Sequence, residues 1–260
     1  MNNWTKLSID YANQRSYLDD LFQVYPTIPD GIRDIDNTIW SEVEKQFADK
    51  NNEGLIKELL KLDLFPIKDS YIAYLKQDAS SIERNPQTIN RVCGRLYEMG
   101  LPKIFEKCSE PKETNRQIGP MFGNWLKKKS LGIEPVNLNN FLSSDANAIL
   151  GGSDDDKMVF AKKHLNYNRN KGLDLVARFN KKYIIGEAKF LSSDGGSQNS
   201  DFEDAIATIE AKDTNAIKVA ILDGILYIPS RRKMHTFITN PYKDYHIMSS
   251  LVLREFLYQI

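Results

Sequence analysis

The sequence predicts an α/β protein with a mainly helical first part and a second part built around a sheet. Apolar residues recur at helical spacing over residues 39–126. Near residue 180, two short apolar runs follow one another across a polar turn, which is typical of a β-hairpin. The pattern changes near residue 145, so we expect a helical region over 1–145 and an α/β region over 146–260.

Helix boundaries in the first part are marked by proline and glycine. Pro86 suits the first turn of a helix whose apolar face continues to Met99, and Gly100 followed by Pro102 predicts its end. A further helix is predicted over 119–129. The helices on either side of Gly100 resemble a helix–turn–helix, although any two-helix hairpin gives the same pattern.

The second part predicts a mixed central sheet flanked by helices. In order, we expect a helix over 154–165 capped by Ser153, the strands LDLVARF and YIIGEAKF, and a helix over 202–212. A strand or hairpin over 216–228 and a closing helix over 246–260 follow. The stretch 130–148 is either a linker or a loop within one domain.

Composition limits the class of protein. The chain has 260 residues, 41% hydrophobic and 27% charged, and its 35 Lys and Arg balance its 35 Asp and Glu. Any nucleic-acid surface must therefore come from local segregation of charge, since there is no basic excess. Cys93 and Cys108 lack metal-binding spacing and are expected to be reduced thiols. With no apolar leader or membrane-length segment, we expect a soluble, cytoplasmic protein without membrane contact.

Three charged residues of the hairpin are predicted to converge. Asp174 begins the first strand, and Glu187 and Lys189 lie near the end of the second. Alternate residues of a strand share a face, so Glu187 and Lys189 point to the same side. In an antiparallel pair that turns at 180–182, Asp174 lies opposite this part of the second strand.

This arrangement suits a hard divalent cation. Two carboxylates and a backbone carbonyl, here that of Ala188, are oxygen ligands of the kind Mg²⁺ prefers, and the ion keeps several waters. Such an ion lowers the pKa of bound water and polarises a phosphate, while Lys189 can orient the water. Surface charge on a hairpin is the alternative, but Glu187 and Lys189 interrupt an apolar run, where unpaired charges are costly.

The motif Gly172-Leu173-Asp174-Leu175-Val176 followed by Ile185-Gly186-Glu187-Ala188-Lys189 resembles the PD-(D/E)XK nuclease superfamily, above all its type II restriction endonucleases. The resemblance covers residues 150–230, although Leu173 stands where many members have proline. It implies a PD-(D/E)XK restriction-endonuclease-like core. It further implies cleavage of double-stranded DNA with one or two Mg²⁺ ions, or Mn²⁺ in their place, leaving 5′-phosphates. Asp174 and Glu187 would be metal ligands and Lys189 the catalytic lysine.

Many members of that superfamily carry another acid on the preceding helix. Asp154, Asp155 and Asp156 are the acids available there in this chain. Their alternative role is to complement the dipole at the N-terminus of a helix. The sequence favours this second interpretation.

Candidate DNA contacts are polar and basic residues near predicted loops, where side chains can reach phosphates or base edges. The loop at 192–200 is either a DNA-contacting segment or a plain connection to the next helix. The candidates are Asn115, Arg116, Gln117, Asn168, Arg169, Lys171, Ser197, Gln198, Asn199, Arg231 and Arg232.

These observations predict a type II restriction endonuclease in which the helical region supplies DNA recognition or dimer contacts. A palindromic target would require a two-fold homodimer, and a DNA methyltransferase would be the genetic partner. The alternatives are a repair or junction-resolving nuclease of the same superfamily, or a catalytically silent DNA-binding protein with this fold.

Overall fold

The structure, a computed structural model, describes residues 1–14, 16–26, 33–111, 118–229 and 233–260. The chain forms two compact units, Met1–Thr27 together with Thr114–Ile260, and Ile28–Glu113. This division differs from the boundary expected near residue 145. The first helices and residues 118–145 belong to the same unit as the sheet, and the smaller unit is formed by the stretch of sequence between them.

The helices of the described residues are numbered in chain order. They are α1 (Asn3–Ala12), α2 (Tyr17–Val24), α3 (Asn37–Ala48), α4 (Asn52–Leu59), α5 (Ser70–Gln77), α6 (Ser81–Arg84), α7 (Pro86–Met99), α8 (Leu101–Cys108), α9 (Ile118–Lys127), α10 (Leu138–Leu142), α11 (Asp154–Leu165), α12 (Ser197–Ile209), α13 (Lys233–Thr239) and α14 (Ser250–Gln259). The strands are β1 (Pro135–Val136), β2 (Ala148–Leu150), β3 (Leu175–Phe179), β4 (Lys182–Leu191), β5 (Ile217–Gly224) and β6 (Ile247–Met248).

The smaller unit is helical, with α3 to α8 packed around one apolar core. The predicted helix from Pro86 to Met99 is confirmed, and Gly100 ends it at a φ of 78°. Gly100 is also the whole connection to α8, whereas a helix–turn–helix needs a turn of three or four residues. The helix–turn–helix interpretation is therefore wrong. Cys93 and Cys108 are free and buried in this core, and burial raises the pKa of each thiol to about 12.

The larger unit contains a mixed six-stranded sheet in the order β1-β2-β3-β4-β5-β6. The pairs β2–β3 and β3–β4 are antiparallel, and the remaining neighbours are parallel. The expected mixed sheet is confirmed. Residues 130–148 are not a linker, because β1 and the start of β2 lie there and extend the sheet.

The predicted hairpin is confirmed in β3 and β4. Asn180 and Lys181 form its turn at φ values of 49° and 63°, the left-handed pair that matches the twist of an antiparallel ribbon. The register pairs Phe179 with Lys182 and Leu175 with Gly186. This register determines where the charged residues at the open end of the hairpin lie.

Three element boundaries differ from the sequence prediction. Helix α12 begins at Ser197 rather than at residue 202, after Gly196 at a φ of 59°. Strand β5 ends in a short 3-10 helix, Ile225–Tyr227, and not in a hairpin. Residues 247–248 form β6, so the closing helix starts only at Ser250.

A buried carboxylate ties the ends of the larger unit together. Asp223 at the end of β5 is fully buried and accepts hydrogen bonds from the hydroxyls of Tyr25, Tyr17 and Ser249 and from the Ser250 amide. Burial raises its pKa, and these donors oppose that effect. Because the donors come from α2, the segment after it and the start of α14, Asp223 joins parts of the chain that are remote in sequence.

Within the described ranges, no helix combines the length and the apolar composition needed to cross a membrane.

Candidate active site

Asp174 lies immediately before β3 and is held at two points on β4. Its amide donates to the Gly186 carbonyl at 3.1 Å, and its carboxylate Oδ2 accepts from the Ala188 amide at 2.8 Å. The hairpin register, which pairs Leu175 with Gly186, continues to place Asp174 beside Glu187. The predicted meeting of Asp174 with the end of β4 is therefore what the structure shows.

Glu187 and Lys189 lie on one face of β4 and form an ion pair. The Lys189 Nζ is 2.8 Å from the Glu187 Oε1, and the two side chains are 22% and 3% exposed respectively. The other carboxylate oxygen of Glu187, Oε2, is buried and has no hydrogen-bond partner among the described residues. A buried acceptor without a donor is expensive, which points to a ligand at this position.

Burial and neighbouring charges shift the pKa values of Asp174 and Lys189. Burial, with the charge of Glu187, raises the pKa of Asp174 to about 7, although the Ala188 amide and Lys189 act in the opposite direction. Burial alone would lower the pKa of Lys189, but Glu187 and Asp174 outweigh it and the net shift is upward. Lys189 is therefore a cation at neutral pH, and it lies next to the Glu187 carboxylate.

The donor set fits a hard cation with open coordination positions. Two carboxylates with one unpartnered oxygen are what an ion such as Mg²⁺ needs, since it is usually bound through one or two carboxylates and keeps several waters. In the part of the chain that the structure describes, no group of three or more His, Cys, Asp or Glu side chains converges on one point. Two carboxylates leave most coordination positions to water or substrate, whereas a structural zinc centre has four protein ligands.

The segment before β3 is attached to α12 by two of the predicted DNA-contact residues. The Arg169 guanidinium donates to the Thr208 hydroxyl at 2.7 Å. The Lys171 Nζ is 2.8 Å from the Asp204 carboxylate and 4.0 Å from the Glu187 Oε1. The structure therefore brings Lys171 to the edge of the site, engages Arg169 in an internal contact, and leaves Asn168 exposed.

The first turn of α11 adjoins Asp174. Asp156 forms a capping box with Ser153, which agrees with the helix-terminal role favoured by the sequence. Asp154 is close enough for its charge to raise the pKa of Asp174. Lys157, which sequence reasoning did not select, is buried and donates to the Asp174 carbonyl at 3.0 Å. A lysine three residues after an acid in a first helical turn is too common a pattern to single out.

The loop after β4 is shorter than expected because α12 starts early. Gln198 is buried, and its side-chain oxygen accepts from the Ser192 amide at 2.8 Å, which closes the connection. Asn199 is half-buried in the first turn of the helix. For Gln198, this placement favours the interpretation of the loop as a plain connection to the next helix over a DNA contact.

Several predicted DNA contacts lie outside the described residues. They are Asn115, Arg116, Gln117, Arg231 and Arg232, together with the side chain of Ser197.

The raised pKa of Asp174 has a consequence for the metal-free protein. A carboxyl that holds its proton up to about pH 7 when folded, against 3.8 normally, gives stability at low pH that is lost as the pH rises through 7. We expect Asp174→Asn, measured by thermal unfolding with chelator present, to stabilise the protein at pH 8 clearly more than at pH 5. The exposed Asp155→Asn variant on α11 is the control. If Asp174→Asn changed the stability equally at both pH values, the raised pKa of Asp174 would be contradicted.

The comparison with protein families identifies this chain. Its residues 2–260 match the family of the Tsp45I type II restriction enzyme. No curated protein and no solved structure gave a significant match. Since the match spans nearly all of the sequence, the chain belongs to the Tsp45I type II restriction enzyme family.

Proposed function

We propose that this member of a restriction endonuclease family hydrolyses double-stranded DNA with Mg²⁺ at the site formed by Asp174, Glu187 and Lys189. The observation that carries the proposal is the buried Glu187 Oε2, which has no partner in the described chain although Oε1 is paired with Lys189. An oxygen in this state is ready to bind a cation. Asp174 would be the second ligand, and the backbone carbonyl of Ala188 the third.

Each residue has a distinct task in this proposal. Bound Mg²⁺ supplies Lewis acidity and a more acidic water. Asp174 and Glu187 hold the ion, and the Ala188 amide fixes one Asp174 oxygen so that the other is left for the ligand. Lys189 keeps its charge beside Glu187, orients the attacking water and stabilises the negative charge that develops on the phosphate. The water oxygen would bond to phosphorus and release its proton to solvent, while the P–O3′ bond breaks and the 3′-oxygen takes a proton from solvent, so the products are a 5′-phosphate and a 3′-hydroxyl.

The order of elements supports a PD-(D/E)XK core. Helix α11 precedes the hairpin of β3 and β4, and α12 connects β4 to the parallel strand β5. The acids lie at the open end of that hairpin, as the resemblance implies for this superfamily. Mn²⁺ is expected to replace Mg²⁺, and a second metal ion is compatible with the acid at position 154.

DNA would reach this site through its phosphate backbone. Lys171 is the candidate best placed for a phosphate, because its ammonium lies at the edge of the site and is shared between Asp204 and Glu187. Asn168 is exposed nearby and suits a polar contact. We also propose that the helical part of the chain recognises the target sequence and that the protein binds a palindromic site as a homodimer. A DNA methyltransferase would be its genetic partner.

The direct test is cleavage by the purified protein. Unmodified phage DNA incubated with Mg²⁺ should yield discrete fragments, and the new ends should accept a kinase-transferred phosphate only after phosphatase treatment. Chelation by EDTA should stop the reaction. Nicking confined to branched or damaged DNA would favour a repair enzyme instead. Absence of cleavage with Mg²⁺ or Mn²⁺ over a range of DNAs would overturn the nuclease assignment.

A further inference from the structure

Lys157 on α11 is a buried lysine next to the candidate active site. Its side chain is 8% exposed, and its ammonium lies 3.2 Å from the Asp154 Oδ1 and donates to the Asp174 main-chain carbonyl at 3.0 Å. Lysine is almost never buried unless it is paired, because removing its charge from water is costly. The cost is offset by one ion pair within α11, to Asp154, and by one hydrogen bond to Asp174, the residue immediately before β3.

Other contacts bring the same two segments together. The Leu173 amide donates to the Asp154 carbonyl at 3.1 Å. Gly172 lies so close to α11 that an added Cβ would be 2.9 Å from the Cβ of Asp154, which explains a glycine there. The first turn of α11 and the residues before β3 therefore form one packed junction, and the ammonium of Lys157 is buried in it.

We propose that Lys157 is a positioning residue of the active site, which holds the main chain of Asp174 so that its carboxylate stays aligned for a divalent cation. The inference rests on the proposed function. Asp174 is fixed from two directions: Lys157 binds its carbonyl, and the Ala188 amide binds its Oδ2. Loss of the first anchor lets the residue shift against β4, and metal affinity and rate are sensitive to such supporting contacts.

The burial of Lys157 separates this role from DNA binding. A side chain that is 8% exposed and occupied on two sides does not reach a DNA phosphate. Its loss should therefore lower the rate of the bound complex and leave the KM for DNA unchanged. Lys171, in contrast, is a candidate for the DNA backbone, where loss would raise KM.

Arg178 provides a matched control at the other end of β3. It is also buried, and it donates to the main-chain carbonyls of Ala146 at 3.0 Å and Phe141 at 2.7 Å. Arg178→Met therefore removes a buried cation from β3, together with its two hydrogen bonds to main-chain carbonyls. Both hydrogen bonds lie away from Asp174. A purely structural role for Lys157 predicts that both substitutions act alike.

The experiment compares Lys157→Met, Lys157→Arg and Arg178→Met in the full chain. The readouts are single-turnover DNA cleavage and, without DNA, binding of Mn²⁺ measured by electron paramagnetic resonance. We expect Lys157→Met to lower the cleavage rate by 10- to 100-fold and to weaken Mn²⁺ binding about tenfold. Lys157→Arg, which retains a donor, should recover most of both. Arg178→Met should lower the melting temperature and keep the rate of the folded fraction.

Three results would overturn the inference. The first is a wild-type cleavage rate in Lys157→Met, and the second is an equal loss of rate in Arg178→Met. The third is tighter Mn²⁺ binding in Lys157→Met, because that result would show that only the charge of the lysine matters. Should Lys157→Met fail to fold, Lys157→Gln replaces it with the same expected directions. Wild-type and Glu187→Gln proteins are assayed in parallel. If wild type does not cut DNA, the proposed function fails; if only Lys157→Met behaves as wild type, this inference fails alone.

Discussion

Glu187→Gln and Lys189→Met should each lower DNA cleavage by about a thousandfold or more while the protein stays folded. In the proposed site, the unpartnered oxygen of Glu187 would bind the metal, and Lys189 would supply the positive charge beside it. A metal-centred site provides several kcal/mol of transition-state stabilisation, and a loss of ~4 kcal/mol corresponds to about a thousandfold in rate. Because methionine has an unbranched side chain of similar length to that of Lys189, the substitution removes the charge and largely retains the packing.

The matched controls are Glu203→Gln and Lys212→Met, which remove the same charges at exposed positions on and after α12. They should cleave at rates close to that of wild type. Rates are measured in single turnover with excess enzyme, and folding is checked by circular dichroism. A Glu187→Gln protein that cuts at the rate of Glu203→Gln would show that the catalytic centre lies elsewhere.

Asp223→Ala should lower the free energy of unfolding by about 4 kcal/mol or more. The substitution leaves the hydroxyls of Tyr25 and Ser249 and the Ser250 amide without their acceptor in a fully buried setting. Each buried donor without a partner costs about 1–3 kcal/mol. The effect should be large because this carboxylate joins three remote segments of the larger unit.

Urea denaturation followed by circular dichroism measures this loss. Tyr25→Phe, which removes a single donor and keeps the acid, should cost only about 1 kcal/mol. Should Asp223→Ala cost no more than Tyr25→Phe, the hydroxyl and amide donors must find other partners, and the joining role of Asp223 would be wrong.

The sequence predicts the hairpin and its charged end because both depend on local rules. Alternation along a strand places Glu187 and Lys189 on one face, and a two-residue turn fixes the register that brings Asp174 opposite them. The interrupted apolar run is itself a signal, since burial of charge requires a reason. The helix from Pro86 to Met99 is predicted for the same local reasons.

Features that depend on contacts between remote residues could not be predicted in this way. The short strands β1 and β6 carry too few residues for a periodic pattern. Helix α1 belongs to the sheet unit because the Thr5 hydroxyl donates to the Ile247 carbonyl and because Asn2 contacts Lys243. No local pattern of the first residues indicates those partners.

The candidate site shows the same limit. Lys157 and Asp204 act through tertiary contacts to Asp174 and Lys171, and neither has a distinctive sequence environment. Gln198 illustrates the reverse case. A polar residue in a glycine-rich stretch predicts a DNA contact as readily as a loop closure, and the structure shows the closure.

The most direct test of the catalytic assignment is to locate the metal. A crystal of the protein with Mn²⁺ and DNA, recorded at the Mn absorption edge, should show an anomalous peak about 2.1 Å from carboxylate oxygens of Asp174 and Glu187 and from the Ala188 carbonyl. The Glu187→Gln protein should lose that peak. A cleavage-competent crystal with Mn²⁺ bound only at other residues would contradict the account.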